Sequence, residues 1–373
     1  MSQVTVQEII DRSQQFAPQF LREGNDPTGF QLGDRTAPVK RLLVTLDVRP
    51  EVVDYAIAQH VDMIWAHHPM IFHAPHNLDL ADPQNRMYAK LLTHGISVFA
   101  AHTNLDKAVG GMNDWLAAAI GLHDVQPFAQ SNDDPLEKLV VFTPQTNAES
   151  MRQALAQAGA GQIGDYSGAS FSHDGEGRFT PEQGAHPAIG TLAKPTVVAE
   201  TRIEVIFPHS RRDKVLQAML AIHPYEEPAY DIFQEAYPAA HIGIGRIGEL
   251  SSPLTVKALA LHIKDVFSLQ GLRVVANDLS RSVQRIAVVG GDGGKFFHQA
   301  QAAGAQAFVT GDVYYHTGHD MLAADLPVID PGHHIESIVI PQMSTMLAQW
   351  SAENDWQLTV IPSPLSTDPF TFL

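Results

Sequence analysis

The chain contains no cysteine. That excludes disulfides, thiolate nucleophiles and sulfur-ligated metal sites. It has no apolar run near the roughly 20 residues that span a bilayer. Met1 to Ile10 carries no basic-then-apolar leader pattern. Positive charge is scarce: 24 Lys and Arg stand against 41 Asp and Glu, for a formal net charge of −17. That balance argues against a nucleic-acid partner. Together these absences lead to the expectation of a cytoplasmic protein without a membrane partner.

What is present describes an ordered globular chain, with 45% hydrophobic and 17% charged residues. Its 373 residues exceed what one core usually holds, so two domains are expected. Nineteen histidines and no cysteine leave nitrogen and oxygen as the strong metal ligands.

The stretch Ile64-Trp-Ala-His-His-Pro-Met-Ile-Phe72 concentrates the chemistry. An apolar strand runs into two adjacent histidines, and Pro69 stops it at once. A buried histidine needs partners for both ring nitrogens, and a metal is one such partner. Neighbouring side chains on a strand point to opposite faces, so both rings reach one site only where the strand ends. A second account stays open, with one buried hydrogen-bonded histidine and one solvated.

Around this stretch, apolar strand-like runs alternate with helical ones, the grammar of an α/β sheet. Residues 5–22 read as an amphipathic helix that Pro18 kinks or ends, and 23–35 as a loop. Strands are expected at 41–47, 63–66 and 97–101, with helices at 50–60, 83–94 and 112–121. The grammar returns with strands at 285–289, 307–310, 327–329 and 358–361. Apolar on both faces, these strands suit a mostly parallel sheet. The middle differs. Strand, proline and helix recur at 138–158 and 202–222, an internal repeat of about 65 residues. Two such units suggest a ferredoxin-like domain. Residues 130–240 are therefore expected as an insert in a discontinuous domain of residues 1–129 and 241–373. Asp133-Asp-Pro135 and Pro238-Ala-Ala240 are the expected junctions.

Five expected strands end in polar residues: Asp47, His67-His68, His102, Asp312, and Asp330 leading to His333. Sites in open α/β sheets form outside the carboxyl ends of strands. His102-Thr-Asn-Leu-Asp106 reads as a loop after a strand, with backbone capping as an alternative use. In Gly332-His-His-Ile-Glu336 a helix start would put His333 and Glu336 on one face, with His334 elsewhere. Its alternative is a helix start whose acid complements the dipole. His67, His68, His102, Asp106, His333 and Glu336 exceed the needs of one tetrahedral ion. They suit two divalent ions, of Zn, Mn or Fe type, with Asp106 as the expected bridge.

His-His-Pro after a strand, His-Thr-Asn-Leu-Asp and Gly-His-x-x-Glu, in this order, resemble the Nif-three-like family. Its bacterial members are often labelled GTP cyclohydrolase I type 2 homologues. The resemblance runs through 41–121 and 285–362. Residues 138–232, with His223-Pro-Tyr-Glu-Glu-Pro-Ala-Tyr-Asp231, are similar to the PII/CutA-like insert of the longer members. The resemblance implies a three-layer α/β domain with an inserted ferredoxin-like domain. It also implies a dinuclear metal centre, a homohexamer, and the six ligands already named. One departure is Asp26-Pro-Thr-Gly-Phe-Gln-Leu-Gly33, where the family often reads Asp-Asn-Val-Gly-Leu; the role of this loop stays open. Thr310-Gly-Asp-Val-Tyr-Tyr-His316 also resembles a family segment. His316 is a candidate acid or base near the metals, or else a histidine buried under the helix after 312. The glycine run 290–294 is a weak candidate anion cradle.

The expected function is hydrolysis of a small-molecule substrate. The family label suggests a nucleotide, GTP, opened at its imidazole ring by a metal-bound hydroxide. The rival expectation is a metal-binding or regulatory protein whose insert senses a small ligand.

Overall fold

The computed structural model describes residues 3–373, apart from the side chains of 130–133 and 236–241. The expected junction residues Asp133 and Pro238 to Ala240 therefore lie outside the described side chains. The chain divides into two compact units: Met1–Ser131 with Gly243–Leu373, and Asn132–Ile242. The architecture is mixed α/β, with helices on the sheets of the larger unit and a ferredoxin-like inserted unit. Among the described residues, no helix is long and apolar enough to cross a membrane.

Besides a short antiparallel pair, Val4–Thr5 with Pro38–Val39, the larger unit carries strands of two larger sheets, where the repeated grammar alone had suggested one. In the first, the order is Thr359–Pro362, Arg41–Thr45, Met63–Ala66, Ser97–Ala100 and Gly29–Leu32. The first four are parallel and the last is antiparallel. Met63–Ala66 and Ser97–Ala100 are buried along their whole length, as their unbroken apolar runs require. In the second, Ser282–Val288, Ala307–Val309 and Val328–Asp330 run parallel. Antiparallel neighbours flank them: Arg273–Val275 on one side, residues 246–255 on the other. Apolar runs of three to five residues carry a pleat but do not name their partners. The division into two sheets was therefore not readable.

Local signals set several boundaries. The first helix spans Val6–Phe16, opened by a reciprocal Thr5–Glu8 capping box. It stops short of the expected 22 because Pro18 has no N–H to continue it. The strand Gly29–Leu32 falls inside the expected 23–35 loop. Gly29 and Gly33 stand at φ of +115° and +113°, so the segment reads as turn until Ser97–Ala100 gives it a partner. After His102 the chain forms a short helix, Thr103–Lys107, and not the expected loop.

Buried polar side chains lock the segment after His102 against the second sheet. Arg246, 3% exposed, donates to both Asp114 oxygens at 2.7 and 3.0 Å and to the carbonyls of Lys107 and Ala108. Asn113 donates to the Asp106 and Ile244 carbonyls and accepts from the Gly290 N–H. A fully hydrogen-bonded buried network of this kind specifies one arrangement.

In the smaller unit, Thr196–Pro208 lies between residues 136–144 and Phe171–Phe179, both antiparallel to it. Helices Ala148–Gln157 and Arg212–Ile222 cover one face, burying Leu139, Val141, Ile203, Val205 and Phe207. Each helix follows a strand ending in proline, Pro144 or Pro208, and a short 3-10 turn. The strand Phe171–Phe179 was hidden by Asp174, Gly175 and Gly177, poor strand formers that pair only because a long partner is present.

Candidate metal centre

Four imidazoles and two carboxylates converge in the larger unit. His67 and His68 follow the strand Met63–Ala66, and His102 follows Ser97–Ala100. Asp106 comes from the short helix Thr103–Lys107. His333 and Glu336 open the 3-10 segment His333–Ile338. Residues three apart eclipse in that geometry, and His333 Nε2 lies 3.2 Å from Glu336 Oε2. His334, as expected, takes no part in the cluster.

The candidate donor atoms form three overlapping groups, each with its atoms within 4.8 Å of one another: His67, His68 and His102; His68, His333 and Glu336; His67, Asp106 and Glu336. Glu336 Oε2 is the hub, 3.0 Å from His68 Nε2 and 3.8 Å from His67 Nε2. Asp106 Oδ1 lies 3.5 Å from His67 Nε2.

Every ring in the cluster is oriented from behind. His67 Nδ1 donates to the Ala101 carbonyl at 2.7 Å. His68 Nδ1 donates to Asp47 at 2.7 Å, His102 Nδ1 to Asp26 at 2.8 Å, and His333 Nδ1 to Asp312 at 2.8 Å. All four Nδ1 atoms are thus occupied, which leaves the Nε2 atoms for the centre. Such outer partners fix the tautomer and aim of metal-binding histidines. Within the cluster two buried atoms nevertheless have no hydrogen-bond partner among the described residues: His67 Nε2 and Asp106 Oδ1. A buried ring nitrogen and a carboxylate oxygen facing each other at 3.5 Å without a hydrogen bond suit a cation.

Residues 4–369 match the profile of the Duf34/NIF3 (NGG1p interacting factor 3) family. The chain belongs to the Duf34/NIF3 family. It is 42% identical over 370 residues to a Bacillus subtilis protein named GTP cyclohydrolase 1 type 2 homolog, covering 99% of each chain. A Listeria innocua protein of the same name is 41% identical, with 96% of each chain covered. A crystal structure of a Bacillus cereus protein related to NIF3 aligns over the whole of both chains, with a TM-score of 0.90 at 38% identity.

The electrostatics of this Duf34/NIF3 cluster split like residues apart. Burial pushes His67 down to about 3, so it is a neutral donor. Burial opposes a proton on His68 too, but Asp47 and Glu336 outweigh it and hold that ring up at about 10. His333 is raised to about 9 against its burial by Glu336 and Asp312. Burial and the neighbouring Glu336 push the Asp106 carboxyl well above the usual carboxylate range. Glu336 is buried as well, yet His333 and His68 keep it well below that range.

Sequence reasoning missed Asp26 as part of the site. It lies in the Asp26–Gly33 segment that departs from the common family pattern. Besides His102, its carboxylate accepts from the Thr103 N–H and hydroxyl. Asp47 and Asp312 were noticed only as polar strand ends, and each proves to hold a ring. Asp330 instead shapes the turn, accepting from Gly332 and Val313 N–H groups and from Arg273.

The glycine run 290–294 has another use than cradling an anion. A Cβ on Gly290 or Gly291 would approach Glu336 Oε1 to 2.8 or 2.9 Å. These glycines let backbone lie directly against the cluster. His316 is exposed on the first turn of the helix Tyr315–Ala323, so its reading as a buried histidine is corrected. Its ring contacts Tyr315. His223 is satisfied at both nitrogens, by the Phe142 carbonyl at 3.0 Å and the Tyr225 N–H at 3.1 Å.

Proposed function

We propose that His67, His68, His102, Asp106, His333 and Glu336 hold two divalent ions of Zn, Mn or Fe type. In this reading the protein is a dinuclear-metal-dependent hydrolase of a small polar substrate. GTP, opened at its imidazole ring, is the first candidate. The observation that carries the reading is the unpartnered pair His67 Nε2 and Asp106 Oδ1, buried 3.5 Å apart among rings already tethered at Nδ1. GTP is favoured only by the names of relatives that span nearly the same length.

When bound, the ions would supply Lewis acidity and lower the pKa of water from 15.7 towards about 7. The chain's own residues do the rest. Asp47, Asp26, Asp312 and the Ala101 carbonyl hold the rings in one tautomer. His67 stays neutral, so it competes with no cation. His316 is the candidate for passing a proton to solvent. The metal domain in this proposal is 1–129 with 241–373, the insert is 130–240, and six chains close into a homohexamer.

Elemental analysis with a turnover assay on GTP, other nucleotides and phosphoesters tests the proposal. Expected are close to two ions per chain and metal-dependent turnover. His316→Ala should keep the ions and lose about 10²–10⁴-fold in rate. A loaded protein inert across the panel removes the hydrolase reading. Fewer than one ion per chain after adding Zn or Mn removes the metal centre itself.

A further inference from the structure

The smaller unit carries an open cavity of about 680 Å³, and every residue lining it lies between Phe142 and Ala229. None of them belongs to the histidine cluster. Its floor is the sheet face opposite the two helices. There the antiparallel register sets Gly175 beside Glu200 and His173 beside Arg202.

Glycine inside a strand weakens it and often marks a place that something approaches closely. Here two glycines clear one spot. A Cβ on Gly175 would meet nothing within 4 Å, and one on Gly177 would strike the Glu200 carboxylate at 2.2 Å. The strand thus keeps open the space around Glu200. That residue is 8% exposed, and its Oε1 accepts from the Tyr225 hydroxyl at 2.7 Å.

Two positions along the same strand stands Arg202. Its terminal nitrogen is paired with Glu204 at 2.9 Å. Its Nε is buried and has no hydrogen-bond partner among the described residues. A buried donor without an acceptor is costly, and an anionic oxygen is its natural partner. Phe142, Phe179 and Ile189 supply an apolar, largely aromatic wall.

Glu200 and Arg202 point the same way from positions about 7 Å apart. A carboxylate and an ammonium on one carbon offer the two opposite charges that this acid–base pair of side chains complements. The aromatic wall favours a flat ring attached to them. We propose that this cavity binds an α-amino acid with an aromatic side chain. Its carboxylate meets Arg202, its ammonium meets Glu200, and its ring lies against Phe142 and Phe179. The site is independent of the metal reading and stands or falls without it.

Calorimetry on the full chain tests this with three probes: L-tryptophan, tryptamine, which lacks the carboxylate, and indole-3-propionate, which lacks the ammonium. L-Tryptophan should bind saturably, and each truncated probe at least about tenfold more weakly. Gly175→Val should abolish binding while keeping fold and metal content. The added side chain enters open space on a strand that tolerates β-branching. Arg202→Met and Glu200→Gln should each weaken L-tryptophan by about tenfold or more. Three results would overturn the proposal: no saturable binding of L-tryptophan, L-phenylalanine or L-tyrosine up to about 10 mM; equal affinity for all three probes; or wild-type binding by a folded Gly175→Val protein.

Discussion

His67 and His223 are both buried histidines just ahead of a proline, His67 after a strand and His223 at the end of a helix, and they are put to different use. At His223 the backbone satisfies both ring nitrogens. At His67 one nitrogen donates to a backbone carbonyl, and the other faces Asp106 and Glu336 without a hydrogen bond. Burial lowers the proton affinity of both rings. What separates a structural histidine from a candidate ligand is therefore neither burial nor pKa. It is the partner that the second nitrogen lacks.

The largest expected effect breaks the cluster at its hub. Glu336→Ala removes the carboxylate that faces three imidazoles. Near-complete metal loss by elemental analysis is expected, whereas His223→Ala should keep the full complement. Equal metal content in the two variants would erase the contrast.

Asp312→Asn probes the support behind a ring. Asp312 adopts a left-handed φ of +51° and holds His333 Nδ1. Outer partners of this kind are worth about 10–100-fold in metal affinity. Competition with a chromogenic chelator measures it, and an unchanged affinity would show that His333 needs no such support.

The pH dependence has a definite sign. His68 and His333 are raised to about 10 and about 9, from an ordinary value of 6.5. Their stabilising contribution in chelator-treated protein is complete below pH 6.5 and is lost as pH rises through those values. A cation needs the same rings deprotonated, so added Zn or Mn should stabilise more as pH rises. Melting temperatures at about pH 6, 7.5 and 9, with and without metal, read both slopes. Parallel slopes would mean that metal and protons do not compete for these rings.

The smallest effect belongs to the corner in the insert. His223→Ala leaves the Phe142 carbonyl and the Tyr225 N–H without their partner. It should cost about 1–3 kcal/mol of stability in the smaller unit. Denaturant unfolding followed in that unit measures it, and a loss of metal would show that the two sites are not separate.

Much of the scaffold was legible because short-range physics writes it. The apolar runs of the expected strands at 41–47, 63–66 and 97–101 read as buried strands, and the structure pairs them in one sheet. Pro144 and Pro208 announced the repeat in the insert. Where the local signal was contrary, reading failed. Gly29–Leu32 and Phe171–Phe179 are glycine-bearing strands that form because partners elsewhere accept them. The Thr103–Lys107 helix is a single turn, too short for its periodicity to register.

For the site, the sequence by itself determined the six candidate donor residues and their places at or shortly after strand ends. A polar residue that ends a buried strand has few other uses. Only the tertiary structure decided how they meet. His68 and Glu336 are 268 residues apart, and His102 and Asp26 are 76 apart. Buried Arg246 and Asn113 hold the segment after His102 against the second sheet. Ring tautomers, the hub role of Glu336 and the unpartnered His67 nitrogen all follow from that packing. No local pattern encodes them, because each depends on an atom that sequence distance does not bring near.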